Sequence, residues 1–581
     1  MRLVTRFRRH AATAALLGGG LALVLVGVWP GLPATSKQGV PGDPAWFRDV
    51  TDELGLHFRH EAGPVGDSFL PHIVGSGAAL FDFDDDGRLD IYLAQNRGPG
   101  SPGANRLFHQ EPDGTFRDVS AGSGLDVAGW GMGVATGDVS NDGLPDVVVT
   151  EYGRIRLFLN RGGGRFADVS DAAGLANPEW ATSAALFDYN RDGWLDLVVA
   201  NYVEYSRTQS CSTASGSPEF CGPQGFPGTG SRLFRNRGPA PSGGGVRFED
   251  VSLSSGVGRL PGPGLGVVCA DLSGDRWPDI LVANDGRPNH LWVNRHDGTF
   301  EEEAVVRGLA YDANGQPRAN MGVAVGDVDG DGLLDVYITH LPEELHNCWK
   351  QETPGEFRDL TAVLGLARPK WRCTGFGTVM TDFDLDGAPD IAVVAGAIRR
   401  DPTSLRDRPR AATWDDYAER NQLFSNDGRG RFRDVSSAGD PFCGTRGVWR
   451  GLAVGDLKGD GTLSVLATRV SGTARLFQCV APRRGHWLLV RAVDPALGGR
   501  DAYGAEVTVE AGGQSRKRWL NPGSSYLCSN DPRGHFGLGP ADRVYSIRVV
   551  WPDGTEEQFP GRPADRLATL RKGEGRAVAA R

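Results

Sequence analysis

The sequence predicts an all-β protein made mostly of propeller blades, and two repeated patterns lead to that prediction. A strand of the type Phe-x-Asp-Val-Ser recurs at Phe47, Phe116, Phe166, Phe248, Phe300, Phe357 and Phe432. An aspartate-rich loop, D-x-[DNSK]-x-D-[GR]-x-x-[DS], begins at Asp82, Asp138, Asp188, Asp271, Asp327, Asp382 and Asp456. Repeats of this length, with several short strands and many turn glycines, are typical of propeller blades rather than helical solenoids.

The composition agrees with many short strands joined by tight turns. The 581 residues include 83 glycines and 36 prolines, and tight turns need the positive φ of glycine and the fixed φ of proline. Apolar runs of strand type, such as the one from Asp146, follow nearly every loop, whereas helical periodicity is scarce. The net charge of -10 is concentrated in the loops, and the arginines form no basic stripe, so nucleic-acid binding is not predicted.

The first loop shows why each copy predicts a calcium site. Positions 1, 3 and 5 carry Asp82, Asp84 and Asp86, position 7 offers the carbonyl of Arg88, and position 9 carries Asp90. These hard oxygen ligands in a flexible loop suit Ca²⁺ better than the octahedral Mg²⁺. Without a cation, such close carboxylates would repel one another. The alternative is that Asp-Gly clusters merely form exposed turns, but the repetition, with Asp at position 9 in six copies, favours calcium.

The other loops differ in their ligand sets. Loops one, five and six carry all four carboxylates and are predicted to bind best. In loop four Arg276 replaces the turn glycine, which predicts strain and weaker binding. Loop seven has Lys458 at position 3 and Ser464 at position 9, so its lysine is predicted to replace the metal. Five or six calcium ions are therefore expected in loops one to six. The predicted ligands in loops two to six are Asp138, Ser140, Asp142, Leu144, Asp146; Asp188, Asn190, Asp192, Trp194, Asp196; Asp271, Ser273, Asp275, Asp279; Asp327, Asp329, Asp331, Leu333, Asp335; and Asp382, Asp384, Asp386, Ala388, Asp390.

The N-terminus predicts export. Four arginines precede an uncharged, largely apolar stretch, so residues 1–34 are predicted to be a signal peptide or a single membrane anchor, and both readings stay open. In an exported chain the eight cysteines favour disulfides. The predicted pairs, in order of preference, are Cys211 with Cys221, Cys348 with Cys373 and Cys443 with Cys479.

The C-terminal tail, residues 485–576, predicts a small β-sandwich. Turn signals such as Gly512-Gly513 and Asp553-Gly554 separate short apolar runs. The predicted strands are Leu488–Val493, Ala505–Glu510, Ser515–Leu520, Ile547–Trp551 and Glu556–Phe559.

Strings such as Met321-Gly-Val-Ala-Val-Gly-Asp327-Val-Asp-Gly-Asp-Gly and Asn421-Gln-Leu-Phe-Ser-Asn426 resemble the FG-GAP/VCBS repeats of integrin α-subunit propellers. The resemblance covers about residues 46–480 and implies four-stranded blades, calcium loops on one face, and one seven-bladed ring over residues 43–481. The tail segments that begin at Tyr503, Gly534 and Val550 resemble the ASPIC/UnbV domain. This combination is similar to the cartilage acidic protein 1-like family, whose vertebrate members are extracellular calcium-binding matrix proteins.

No catalytic motif accompanies the repeats. His57, His60 and His72 could form a metal cluster, but a structural role in closing the ring is favoured. The favoured hypothesis is an exported calcium-binding propeller that acts as a binding or adhesion module for a protein or carbohydrate partner, at the cell envelope or outside the cell. The alternative is an enzyme or redox accessory, for example a polysaccharide-active one, that uses the central channel of the ring.

Overall fold

Each acidic loop joins the first and second strands of one four-stranded antiparallel sheet in the computed structural model, which describes residues 44–212, 216, 218–240, 245–400 and 413–578. We number these sheets as blades 1 to 7, in the order of their loops. The first strands are Ala78–Phe81, Gly131–Gly137, Ala181–Phe187, Gly264–Ala270, Val323–Gly326, Gly375–Thr381 and Trp449–Gly455. The second strands are Asp90–Leu93, Asp146–Glu151, Asp196–Asn201, Asp279–Asn284, Asp335–Ile338, Asp390–Ala395 and Ser464–Arg469.

The third strand of each blade carries the Leu-Phe-x-Asn-like segment, and the fourth carries the Phe-x-Asp motif. The third strands are Arg106–Gln110, Arg154–Asn160, Arg232–Pro239, His290–Asn294, Asn347–Thr353, Gln422–Asn426 and Arg475–Cys479. The fourth strands are Phe116–Asp118, Phe166–Asp168, Val246–Asp250, Phe300–Glu302, Glu356–Asp359, Phe432–Asp434 and, for blade 7, Phe47–Asp49.

The first strands line the centre of a closed ring, because each one contacts the first strands of both neighbouring blades, and blade 7 contacts blade 1. The predicted seven-bladed propeller is therefore confirmed. The N-terminal strand Phe47–Asp49 pairs antiparallel with Arg475–Cys479, so the two ends of the propeller segment close the ring together. The sequence repeat and the structural blade therefore differ in their boundaries by one strand. Each Phe strand stands before an acidic loop in the sequence, but it is the fourth strand of the preceding blade.

A few short elements connect these strands. A hairpin, Cys211–Ser212 with Pro218–Glu219, lies in the insertion of blade 3. The helices are Leu70–Val74, Ser252–Ser255 and Pro441–Gly444, and the 3-10 turns are Val65–Asp67, Pro223–Gly225, Trp414–Tyr417 and Pro495–Leu497. Within the part of the chain that the structure describes, no helix is both long and apolar enough to cross a membrane. The predicted leader, residues 1–34, lies outside the described residues.

The C-terminal domain is the predicted β-sandwich. One sheet contains His486–Asp494, Arg500–Asp501, Gly534–Gly539 and Arg566–Arg571. The other contains Ala505–Ala511, Gln514–Leu520, Arg543–Val550, Glu556–Pro563 and Arg576–Ala577. Buried residues from both sheets, such as Val507, Phe536 and Ile547, form its core. The sequence reading missed Gly534–Gly539 and Arg566–Arg571, which are rich in glycine and in charge.

The segment 521–531 of the C-terminal domain enters the centre of the propeller. Cys528–Ser529 pairs in parallel with the first strand of blade 1. Ser525 exchanges two backbone hydrogen bonds with Val323 of blade 5. Tyr526 is fully buried and packs 5.0 Å from the ring of Phe376 in blade 6. The two domains are therefore interlocked, and we call residues 521–531 the plug.

One of the three predicted disulfides is present. Cys211 and Cys221 are bonded, whereas Cys348, Cys373, Cys443 and Cys479 are free thiols, so the other two predicted pairs are wrong. All four free thiols are buried between strands and helices of the blades. Cys479, for example, donates its S–H to the carbonyl of Phe383 at 3.3 Å. These cysteines behave as small apolar side chains that fill the spaces between blades.

Candidate metal sites in the acidic loops

The aspartate at position 1 folds each loop back on itself. In loop one, the backbone N–H groups of Asp86 and Gly87 donate to the two carboxylate oxygens of Asp82, at 3.0 and 2.8 Å. The N–H of Arg88 donates to Asp86 Oδ1 at 2.9 Å. The same contacts recur in the other loops, including loop seven, where the N–H of Gly461 donates to Asp456. The turn therefore forms in all seven copies, whatever stands at positions 3 and 9.

The aspartate at position 9 ties its loop to the third strand of the blade. Asp90 accepts the N–H of Phe83 at 3.1 Å and the N–H of Gln110 at 2.8 Å. Equivalent pairs of bonds reach Asp146, Asp196, Asp279, Asp335 and Asp390. These six aspartates are at most 1% exposed. In loop seven Ser464 cannot make this double bridge.

Burial makes the position 9 carboxylates costly to ionise. Burial raises the pKa of Asp90 and of Asp279 to about 8, and neighbouring aspartates add to the shift. Burial also raises the pKa of Asp335 to about 7 and places that of Asp390 well above its usual range. A buried carboxylate stays charged at neutral pH only if a cation compensates it. These position 9 carboxylates are therefore protonated at neutral pH unless a cation lies close to them.

Loops one, five and six bring three carboxylates together, as the sequence predicted. The oxygen atoms within each group lie within 4.8 Å of one another, and the groups are Asp82, Asp84, Asp90; Asp327, Asp329, Asp335; and Asp382, Asp384, Asp390. A fourth group of Asp84, Asp86 and His109 overlaps the first. One buried oxygen of Asp84 has no hydrogen-bond partner, whereas the corresponding oxygen of Asp384 forms an ion pair with Arg484 Nε at 3.0 Å. Such all-oxygen groups fit the preferences of Ca²⁺.

Loops two, three and four carry Ser140, Asn190 and Ser273 at position 3, so they lack the third carboxylate found in loops one, five and six. Asp138, Asp188 and Asp271 hold their turns, and the ligand sets of these three loops stay predictions. In loop four Arg276 has φ of 73°, the left-handed conformation that glycine adopts elsewhere. That conformation costs a non-glycine residue about 1 kcal/mol, so the predicted strain is confirmed. The carbonyl ligands at position 7, from Arg88, Leu144, Trp194, Leu333 and Ala388, stay predictions.

Adjacent loops are also joined to each other. The side-chain amide of Asn160 in blade 2 donates to the carbonyl of Phe83 in loop one at 2.8 Å. Corresponding bonds lead from Asn236, Asn294 and Asn426 to Val139, Tyr189 and Val328 of the preceding loops. The recurring Asn of the Leu-Phe-x-Asn segment was the sequence signal for these links. A displacement of one acidic loop would therefore act directly on the third strand of the following blade.

Basic side chains approach several loops from outside the motif. His109 Nε2 lies 3.3 Å from both Asp84 and Asp86. Lys350 Nζ lies 2.6 Å from Asp331 and 2.9 Å from Asp329. The lysine inside the motif, Lys458 of loop seven, is instead exposed. The sequence reading missed Lys350 because it stands on the third strand, outside the loop.

The C-terminal domain covers the loop side of the ring. Arg491 Nη1 lies 3.2 Å from Asp85, and Arg500 Nη1 donates to Asn141 Oδ1 at 2.9 Å. Gly537 lies so close to loop six that a Cβ atom there would be 1.8 Å from Asp382 Oδ2. The sequence predicted two successive domains and did not indicate that the C-terminal domain contacts the acidic loops.

The centre of the ring is filled rather than open. The plug contacts the first strands of blades 1, 2, 3, 5, 6 and 7 within the described residues. Leu527 donates its N–H to Ser183 Oγ, and its carbonyl accepts the N–H of Val134. The plug thus occupies space at the centre of the ring that an enzyme working in the central channel would need, and that alternative hypothesis stays a prediction.

The three N-terminal histidines do not form a metal site. His60 and His72 are buried and His57 is exposed, and they are absent from the possible metal-holding groups of the described chain. The N–H of Ser471 donates to His60 Nδ1 at 3.3 Å, and the N–H of His60 donates to Gly472. His60 therefore ties the N-terminal segment to blade 7, which is the favoured structural role.

Family models agree with this architecture. An FG-GAP-like repeat model matches residues 82–149, 138–199 and 271–338, and an ASPIC and UnbV model matches residues 497–577. The chain therefore contains FG-GAP-like repeats and a C-terminal ASPIC and UnbV domain. It is 30% identical over 321 residues to cartilage acidic protein 1 of Homo sapiens, covering 53% of the chain and 44% of that protein. It is 26% identical over 319 residues to the Mus musculus protein of the same name, covering 53% and 45%.

The chain thus spans less than half the length of these two relatives. Among solved structures, YCF48 bound to D1 peptide aligns with 77% of this chain and 99% of its own, at 7% identity and a TM-score of 0.39. That similarity is low, and no property of YCF48 is carried over to this chain.

Proposed function

We propose that this protein is an exported calcium-binding propeller that acts as a binding module for a protein or carbohydrate partner. The observation that carries the proposal is the convergence of three aspartates in each of loops one and six, with oxygen atoms within 4.8 Å of one another. Four carboxylates per loop exceed the charge of one Ca²⁺, and the loops are flexible oxygen cages.

Two further observations support a cation in these loops. A buried oxygen of Asp84 has no hydrogen-bond partner, and a bound cation would satisfy it. The position 9 aspartate of loop six, Asp390, is buried, and burial together with the charges of Asp382 and Asp384 holds its pKa well above its usual range. Removing a cation would therefore leave uncompensated charge in the protein, which costs several kcal/mol per site at most.

The links between loops support a stiffening role. Since the amide of Asn160 joins blade 2 to loop one, a cation that orders loop one also orders the edge of blade 2. Three other asparagines repeat the link. Calcium at millimolar concentrations outside the cell would keep such sites filled, so the proposed role is permanent stiffness rather than switching.

Export is supported by two features. The bonded pair Cys211 and Cys221 requires an oxidising compartment to persist. The arginine-rich, then apolar, N-terminal sequence is typical of a leader.

The face opposite the acidic loops is proposed as the contact surface. We call it the open face, and it contains the partly exposed Trp130, Tyr152 and Tyr205 and the exposed Arg207, whose guanidinium lies 3.7 Å above the buried ring of Phe69. Phe69 lies 5.5 to 5.6 Å from the rings of Trp130, Tyr152 and Tyr205, and Trp130 lies 5.7 Å from Tyr152. Aromatic and arginine side chains are enriched at binding surfaces. The loop side is covered by the C-terminal domain, which leaves the open face for a partner.

The metal part of the proposal is tested on the full chain. Calcium is counted by elemental analysis after dialysis, and thermal unfolding is followed with calcium and with excess chelator. We expect several calcium ions per chain and a lower midpoint in chelator. No bound metal together with an unchanged midpoint would overturn the calcium assignment.

The partner is tested by screening the calcium-loaded protein against a glycan array and against immobilised extracellular matrix proteins. The Arg207→Ala variant is expected to weaken any interaction found by roughly tenfold, since an arginine at the centre of a contact surface is worth more than 1 kcal/mol. Tyr545→Ala is the control, because Tyr545 is 67% exposed on the C-terminal domain. Equal binding by both variants would exclude the open face.

A further inference from the structure

We propose that loop five carries its own cation, the ammonium group of Lys350, and does not take up calcium in the native protein. The inference rests on the proposed calcium function of the other loops. It reverses the ranking that the sequence suggests, in which loop five is among the best calcium sites.

The third strand of blade 5 directs Lys350 into the loop. The N–H of the next residue, Gln351, donates to Asp335 Oδ1 at 2.8 Å, and its side chain donates to the carbonyl of Leu334 at 2.9 Å. These two bonds fix the strand against the loop. Lys350 therefore stands directly beside the loop, within reach of its carboxylates.

The ammonium group lies where a metal ion would have to bind. Lys350 Nζ is 2.9 Å from Asp329, 2.6 Å from Asp331 and 3.9 Å from Asp335, which occupy positions 3, 5 and 9. It donates hydrogen bonds to the first two. An ammonium group is a compact point charge with three donors, which suits a cluster of carboxylates. Calcium cannot occupy the same centre while the lysine is there.

Burial and charge hold the lysine in place. Only 14% of its side chain is exposed, and Asp335 is fully buried. Burial alone opposes the charged form of the lysine, but its hydrogen bonds to Asp331 and Asp329 and the nearby carboxylate of Asp335 compensate the charge. Breaking such a part-buried pair leaves uncompensated charge on both sides.

The corresponding residues of the other calcium loops differ. The residue that precedes the Gln or Asn bound to position 9 is His109, Leu159, Arg235, Val293 and Ser425 in loops one, two, three, four and six. Loop one thus meets an imidazole that is charged only when protonated. Loop six is approached instead by Arg484, whose side chain is 52% exposed and can move away at little cost. A lysine at this place occurs in loop five alone.

The test compares calcium binding by the full-length wild type, Lys350→Met and Lys458→Met. Methionine keeps the length of the side chain and removes its charge. We expect Lys350→Met to bind one more calcium ion per chain than the wild type, measured by elemental analysis and by titration against a chromophoric chelator. Lys458→Met removes an exposed lysine from loop seven, and we expect it to match the wild type.

The outcomes separate the two proposals. The inference is wrong if the wild type binds calcium and Lys350→Met binds the same number of ions. In that case loop five either holds a metal ion in the wild type already, or cannot bind one even without the lysine. If none of the three proteins binds calcium, the proposed function fails. Should Lys350→Met not fold, Asp331→Asn serves instead. It is expected to lower the melting temperature equally in calcium and in chelator, whereas a loss confined to calcium would show a metal at loop five and overturn the inference.

Discussion

Replacing Tyr526 by alanine should make the propeller and the C-terminal domain unfold independently of each other. The side chain is fully buried at the centre of the ring, its ring packs 5.0 Å from that of Phe376, and its hydroxyl donates to the carbonyl of Val74 at 3.1 Å. Tyr526 belongs to the C-terminal domain, while both partners belong to the propeller segment. The variant therefore weakens the contact between the domains without altering the core of either sandwich sheet.

The magnitude follows from the buried area. A tyrosine buries about 150 to 250 Å², which at about 25 cal/mol per Å² corresponds to about 4 to 6 kcal/mol as an upper estimate. Truncations of buried aromatic residues to alanine cost about 3 to 5 kcal/mol, so we expect a loss in that range. Tyr526→Phe isolates the hydroxyl, whose hydrogen bond to Val74 contributes about 1 kcal/mol.

Differential scanning calorimetry is the assay. We expect one unfolding transition for the wild type, because the plug joins the ring to the sandwich, and two separate transitions for Tyr526→Ala. Tyr526→Phe should keep one transition at a slightly lower temperature. The control is Tyr545→Ala, which removes a tyrosine that is 67% exposed in the same domain. The reasoning would be refuted if Tyr526→Ala melted in one transition within a degree or so of that control.

Three other predictions concern the loops and the buried histidine. Asp384→Ala should lower the melting temperature in calcium and change it little in chelator, because its carboxylate is a proposed ligand, whereas Asp460→Ala in loop seven should show no such calcium dependence. Gly537→Ala should destabilise the protein by several kcal/mol in denaturant unfolding, since the added Cβ atom would lie 1.8 Å from Asp382 Oδ2. Burial, with the charge of a neighbouring histidine, lowers the pKa of His60 from 6.5 to about 3, so its contribution is present above pH 6.5 and is lost as the pH falls. The loss of stability caused by His60→Gln should therefore shrink between about pH 6.5 and pH 4.

Each of these results has a contrary outcome. Equal losses for Asp384→Ala in calcium and in chelator would remove it from the ligand set. Gly245→Ala is the control for the glycine variant because nothing lies within 4 Å of its would-be Cβ atom, and equal effects of the two would contradict the close approach at loop six. A difference between wild type and His60→Gln that stays constant with pH would show that His60 is not held neutral.

The sequence predicted the features that depend on local chemistry. An acidic turn is specified within nine residues, so its seven copies were sufficient to predict seven blades and the carboxylate-rich loops one, five and six. The bonded pair Cys211 and Cys221 was predictable because the two residues are close in the chain. The strained turn at Arg276 was predictable because its place is one that glycine normally fills.

Features that depend on distant pairing could not be predicted. Nothing in the motif around Phe47 shows that its strand pairs with Cys479 rather than with its own loop. The plug consists of polar turn residues and contains no apolar run before Tyr526. Its own sequence therefore does not indicate burial, which results from contacts with the surrounding propeller. Lys458 attracted attention because it lies inside a motif, whereas Lys350 reaches its loop across a strand pair that the linear sequence does not show.

The pairing of Phe47–Asp49 with Arg475–Cys479 sets the order in which the molecule can assemble. The strand Phe47–Asp49 must wait for its partner, because more than four hundred residues separate the two. The ring cannot be closed until Arg475–Cys479 has been made, and the plug cannot be seated until residues 521–531 have followed. Contacts between such distant residues make folding slow and leave unpaired strand edges exposed for longer. A chain built in this way depends on protection of its early blades until its two ends meet.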